Sequence, residues 1–219
     1  DSVSNQDYTG RIEHYVVVDG PRDRDIEGEF DGVKTIVREE RGGPGAARNT
    51  AIHSIMDCDT QYLAFLDDDD WYRPNAISLL VESIGDYDAA YGDLNFKEWE
   101  LKDGEKSLKS DKVRWSRDWR NRGDLKEGNF IPLPACLFQM QFFRDYGFFR
   151  EDIGRCVDWE LLARAEANGA RFKHIPYIIG EAEWVWGKGT DNISTVNPDK
   201  NFPPTTWARI KTIIEGHYI

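Results

Sequence analysis

Four consecutive aspartates, Asp67, Asp68, Asp69 and Asp70, follow directly on the apolar run Tyr62-Leu63-Ala64-Phe65-Leu66. Like charges repel, and the repulsion grows as water is withdrawn. A chain that ends a core segment on four carboxylates needs either open solvent around them or a cation among them. The run is short, rich in aromatic and branched residues, and bounded by polar segments, which predicts a buried strand. Ligands of open α/β sheets sit beyond the carboxyl ends of such strands. Mg²⁺ and Mn²⁺ favour carboxylate oxygens and share their shell with phosphates. The plainer reading is a solvated acidic turn. The strand before the quartet and Trp71-Tyr72-Arg73-Pro74 after it favour the metal site.

Side chains alternate along an extended chain, so Asp67 and Asp69 share one side. Asp69 is the expected direct ligand of Mn²⁺ or Mg²⁺. Asp67 is placed on the metal as well, through a bound water, or on a nucleotide ribose. Asp68, on the other face, is counted with the ligand-contacting residues but is a bystander to the metal. A turn at the strand end brings Asp70 inward.

The surrounding sequence alternates extended and helical patterns. His14–Val18 reads as a strand ending at Asp19-Gly20-Pro21, and Val33–Arg38 as a second. The glycine-rich Arg41-Gly42-Gly43-Pro44-Gly45 precedes a helix over Ala46–Met56, with Arg48 and Asn49 in its first turn. Glycines let backbone N–H groups approach an anion at a helix start, and Arg48 adds a forked donor, although such a connection is often only a turn. A helix follows Pro74 over Ala76–Ile84, then an extended run over Ala89–Phe96. This order predicts a mostly parallel sheet flanked by helices. Lys97–Glu127 is highly charged and reads as a meander or surface excursion. Beyond it come an apolar stretch, Ile131–Phe143, and a helix over Asp158–Asn168 stopped by Gly169. Extended runs over Arg171–Ile175 and Tyr177–Val185, a loop over Lys188–Pro204 and a last helix over Thr205–Glu215 complete the chain. Asp158 has two readings, an N-cap or a carboxylate base facing a substrate, and Glu151 and Asp152 compete for the second.

Composition excludes some classes. The 219 residues suffice for one domain, and the net charge of −12 argues against nucleic-acid binding. No apolar run reaches membrane-spanning length. Three dispersed cysteines, Cys58, Cys136 and Cys156, form no CxxC pair and point to a reducing compartment. The location expected is cytoplasmic, or peripheral to a membrane. The four histidines lack zinc spacing.

The ordered set Val17-Val18-Asp19-Gly20, then Arg41 to Asn49, then Phe65 to Pro74, then Val157-Asp158-Trp159-Glu160-Leu161 resembles the family 2 glycosyltransferases of GT-A fold. The resemblance covers roughly residues 1 to 185. It implies a Rossmann-like GT-A domain whose first strand is missing from this chain. Residues 1–96 form its nucleotide-sugar-binding half and 97–219 its acceptor-binding half. It implies inverting, metal-dependent transfer of a sugar, probed first with uridine nucleotides, to a hydroxyl on a glycan, a lipid-linked molecule or another acceptor. Carried across by position, Asp19, Arg48, Asn49, Asp67 and Asp68 bind the donor, Asp69 and Asp67 the metal, and Asp158 is the general base. Trp159, Trp184 and Trp186 are possible sugar platforms. A sugar nucleotidyltransferase and a non-catalytic nucleotide- or carbohydrate-binding module are the competing readings.

Overall fold

The computed structural model describes residues 2–21, 32–103, 105–114, 116–187 and 204–218. Strands β1 (His14–Val18) and β2 (Val33–Val37) pair in parallel as a small sheet of their own. Helix α1 (Gly43–Ile55) follows, then β3 (Tyr62–Ala64), the two-residue β4 (Trp71–Tyr72) and α2 (Ala76–Ile84). The long β5 (Ala89–Lys102) turns back through Asp103, held at φ 51°, into β6 (Glu105–Arg114). After a tethered segment come β7 (Cys136–Gln139), α3 (Met140–Tyr146), α4 (Val157–Ala167), β8 (Phe172–Gly187) and α5 (Pro204–Gly216).

The second sheet has six strands in the order β3-β7-β5-β8-β4, with β6 extending β5. It is mixed, which corrects the mostly parallel sheet expected from sequence. Only β5 and β8 run parallel in it, whereas the pairs β3–β7, β5–β7, β5–β6 and β4–β8 are antiparallel. The reason lies after residue 96. The charged stretch read as a meander folds back as a β-hairpin, which needs no helical crossover. Cys136–Gln139, hidden inside a uniformly apolar stretch, inserts between β3 and β5. Residue 96 itself lies inside β5, and strands from both sides of it share this sheet.

Helices cover both faces, as layer packing requires. On one side Ile52 and Ile55 of α1, Phe142 and Phe143 of α3, Leu161 and Leu162 of α4, and Ile210 and Ile214 of α5 pack around Phe138 and Phe172. On the other, Ala76, Leu80 and Ile84 of α2 pack on Leu137, Leu94 and Ile179. β3 is shorter and less buried than expected: its three residues are half-covered, and Phe65 just beyond is the buried one. Its ring meets Phe149 at 5.3 Å and Phe138 and Phe143 at 6.1 Å, edge-on. That aromatic anchor seats the acidic segment on the core. The loop expected over Lys188–Pro204 lies outside the described residues except for Pro204, the first residue of α5. The side chains of Trp184 and Trp186 are likewise outside them. Among the described residues no helix is long and apolar enough to cross a membrane.

Candidate active site

The acid quartet is a turn rather than a strand end. The Asp70 N–H donates to the Asp67 carbonyl at 3.1 Å, and the Tyr72 hydroxyl donates to the Phe65 carbonyl at 2.8 Å. This loop is held between β3 and β4, whose pairing with β8 brings Glu183 alongside. Asp68 and Asp69 face solvent, and Asp67 and Asp70 are half-buried. Asp70 is pushed up to about 8. Burial is the main cause, the charges of Asp67 and Asp69 add to it, and a hydrogen bond from the Glu183 backbone only partly offsets them.

Arg48 supplies one counter-charge. Its guanidinium donates to Asp67 Oδ1 at 2.6 Å and lies over the Phe149 ring, 5.6 Å from its centroid. α1 begins at Gly43, inside the glycine-rich segment, because Pro44 suits the first turn and Gly43 takes φ 81°, a conformation open to glycine. Arg48 therefore projects from the second turn rather than the first.

Asp158 occupies the first turn of α4, one residue past Val157. The cap position belongs to Cys156, which takes φ 53°, so Asp158 is not the N-cap. Burial raises its pKa above the ordinary carboxylate range. Arg48 and the N–H groups of Asp158 and Trp159 pull it down, and the charge of Asp67 pushes it up again. Asp158 also raises the thiols of Cys136 on β7 and Cys156, though burial is the larger cause for both. Arg48 thus lies within electrostatic reach of both the acidic turn and Asp158, although the three come from different elements.

The remaining predicted residues are engaged within the chain. Asp19 accepts hydrogen bonds from the N–H groups of Gly42 at 2.9 Å and Gly43 at 2.7 Å, and pairs with Arg38 at 2.9 Å. The anion seated on this helix start is the chain's own carboxylate. Asn49 is buried and its amide is spent inside the protein: it donates to the Phe149 carbonyl at 2.9 Å and to Glu151 at 2.7 Å, and accepts from the Phe149 N–H at 3.0 Å. Glu151 is engaged by Asn49, and Asp152 by Arg150 and Arg209. Trp159 is buried, its indole N–H donating to the Leu125 carbonyl. Among the described residues no three His, Cys, Asp or Glu side chains are arranged to hold a metal.

Sequence reasoning missed two groups. Asn129 donates to Asp158 Oδ2 at 2.8 Å. Glu160 and Glu166 of α4 are fully buried. Glu160 pairs with Arg164 and His217, while Glu166 accepts from the Trp119 indole, the Gly123 N–H and the Tyr218 hydroxyl. The four-residue step from Glu160 to Arg164 was legible; the other contacts leave no local signal.

Comparison with known proteins decides the family. The profile of Glycosyl transferase family 2 matches residues 1–147, more than half of the chain. The chain belongs to that family. Similar curated proteins include the succinoglycan biosynthesis protein ExoW of Rhizobium meliloti (strain 1021), 32% identical over 83 residues, which are 35% of this chain and 26% of that protein. Glycosyltransferase GlyA of Streptococcus pneumoniae serotype 4 is 33% identical over 94 residues, 41% of this chain and 13% of that one. The chain thus matches only about a quarter or less of each relative's length. The crystal structure of S. aureus TarS 1-349 in complex with UDP superposes with a TM-score of 0.64 at 16% identity, covering 99% of this chain and 59% of that one. The likeness establishes the shared fold. Asp158 lies beyond the stretch that the family profile matches.

Proposed function

We propose that this family 2 chain transfers a sugar from a nucleoside diphosphate sugar, with UDP as the nucleotide, to an acceptor hydroxyl with inversion at the anomeric carbon. The observation that carries the reading is the single charge network of Asp67, Arg48 and Asp158. The UDP in the TarS crystal supports the choice of nucleotide.

The acidic turn fits a divalent cation, Mn²⁺ or Mg²⁺. Burial first, and then the charges of Asp67 and Asp69, hold Asp70 up at about 8, and a cation would relieve the like-charge part of that conflict. Such ions commonly take one or two carboxylates and complete their shell with phosphate oxygens, so a preformed three-ligand group is not required. Asp69, exposed at the tip, and Asp67 would hold the ion, with Asp68 toward the donor. When bound, the ion neutralises charge developing on the leaving diphosphate. Arg48, anchored on Asp67 and Phe149, orients that acid and carries positive charge toward the donor phosphates. Asp19 and Asn49 act indirectly, the first by fixing the start of α1 and the second by fixing the loop at Phe149. Asp158 takes the acceptor proton: its raised pKa makes it a stronger base than an exposed carboxylate, and the Arg48 charge opposes that rise.

Release of UDP from UDP-glucose and UDP-N-acetylglucosamine, with Mn²⁺ and with EDTA, tests the reading. Metal-dependent release that disappears in D158N is expected. Tight UDP binding without release from any donor would favour a non-catalytic binding module.

A further inference from the structure

Asp158 has two carboxylate oxygens, and a base needs a lone pair held in one direction. Asn129 holds Oδ2 at 2.8 Å. The amide orientation is fixed, because Asn129 Oδ1 accepts the Ile131 N–H at 3.1 Å, which turns the NH₂ group toward Asp158. The segment carrying Asn129 is itself fastened. The Tyr91 hydroxyl donates to the Arg117 carbonyl and accepts the Trp119 N–H. Buried Glu166 receives the Trp119 indole and the Gly123 N–H. The Trp159 indole donates to the Leu125 carbonyl at 2.7 Å, joining this segment to the residue next to Asp158. The Arg117 guanidinium lies 3.9 Å over the Phe130 ring.

We infer that Asn129 is the positioning residue of the base: it fixes Oδ2 of Asp158 and, together with the N–H groups of Asp158 and Trp159 on the same carboxylate, holds that group in one orientation toward the acceptor hydroxyl. The charged and titratable groups facing Asp158 are Arg48 from α1, Asp67 from the end of β3, Cys136 from β7 and Cys156 at the head of α4. Arg48 attracts the carboxylate, and a base turned into an ion pair is weaker and misaimed. Asn129 is a neutral donor, so it holds Asp158 back without adding a second positive charge. In the step it serves, the acceptor O–H proton passes to a remaining lone pair of the Asp158 carboxylate. The acceptor oxygen bonds to the anomeric carbon, and the anomeric C–O bond breaks with its electron pair leaving on the diphosphate.

This inference rests on Asp158 as the base, and its test has two arms. Kinetically, N129A lowers kcat for UDP release from UDP-glucose and UDP-N-acetylglucosamine by about tenfold or more, with the donor KM within about twofold. N129D retains the acceptor for the Ile131 N–H but sets a like charge against Asp158, so the acid limb of its kcat–pH profile moves up by about one unit. An unchanged kcat in N129A, or an unmoved limb in N129D, overturns the role. Spectroscopically, the side-chain amide NMR signals of Asn129, assigned by their loss in N129D, shift in D158N whether or not the chain turns over. Signals unchanged in D158N overturn the contact itself. Absence of UDP release from wild type with a normal D158N shift overturns instead the catalytic reading on which the inference stands, and with it the positioning role.

Discussion

Asp70 and Asp158 show how the same burial serves two carboxylates differently. Asp158 has Arg48, two backbone N–H groups and Asn129 to support its charge; Asp70 has three acidic neighbours and one backbone donor. Between the ordinary carboxylate value of 3.8 and about 8, the unfolded chain has released the Asp70 proton and the folded chain has kept it. The folded state binds more protons across that window, so stability falls as pH rises through it and levels off above. D70N removes this loss: in EDTA its Tm at about pH 8 exceeds that of wild type, and the gap narrows toward about pH 4. A parallel pH dependence in the two proteins would contradict the assignment. For Asp158, the proposed base, the expected consequence is catalytic. D158N lowers kcat by about 10²–10⁴-fold, the range of general base catalysis, while UDP affinity measured by calorimetry stays near wild type. Because its pKa is raised, the acid limb of wild-type kcat lies above the ordinary carboxylate range.

At the scale of elements, the site depends on how closely α1 approaches the loop before α4. A Cβ on Gly45 would stand 2.8 Å from the Arg150 carbonyl, a backbone atom that cannot swing aside. G45A therefore forces α1 away from the loop that Asn49 clips, and about 1–3 kcal/mol of destabilisation in urea titration is expected, as for overpacking elsewhere. A change below about 0.5 kcal/mol would show that the interface yields. The sequence announced α1, α2, α4 and α5 through helical spacing, and β1 and β2 through compact branched runs. It marked the acidic segment, Arg48 and Asp158 as candidates through residue type and order, and the structure brings Arg48 onto Asp67. It hid β7, because Cys136–Gln139 continues without punctuation into the apolar residues of α3. It hid the β5–β6 hairpin behind charges that serve a solvent-facing edge strand, where lysines also discourage further pairing. It gave no sign that Asn49 and Asp19 bond to residues 149 and 42–43, because those partners are set by tertiary packing rather than by spacing.

The whole molecule carries a net charge of −12, yet its proposed donor is an anion. Long-range repulsion of this kind slows association and weakens with ionic strength, whereas short contacts inside a site are screened far less. At the proposed site the donor would meet Arg48, already committed to Asp67, and an acidic turn that adds to the global field. In EDTA, UDP must enter against both. Raising NaCl from about 0.05 M to about 0.5 M then strengthens UDP binding, since screening removes more repulsion than attraction. With saturating Mn²⁺ the sign at the turn is reversed, and the same increase in salt weakens binding by screening the cation from the diphosphate. Calorimetric titration of UDP at both salt concentrations, with and without Mn²⁺, reads the two slopes directly. Opposite slopes place the cation at the acidic turn as the element that makes an acidic protein receptive to an anionic donor. If binding in EDTA instead weakens with salt, basic side chains and backbone N–H groups dominate the donor site, and the acidic turn does not govern nucleotide entry.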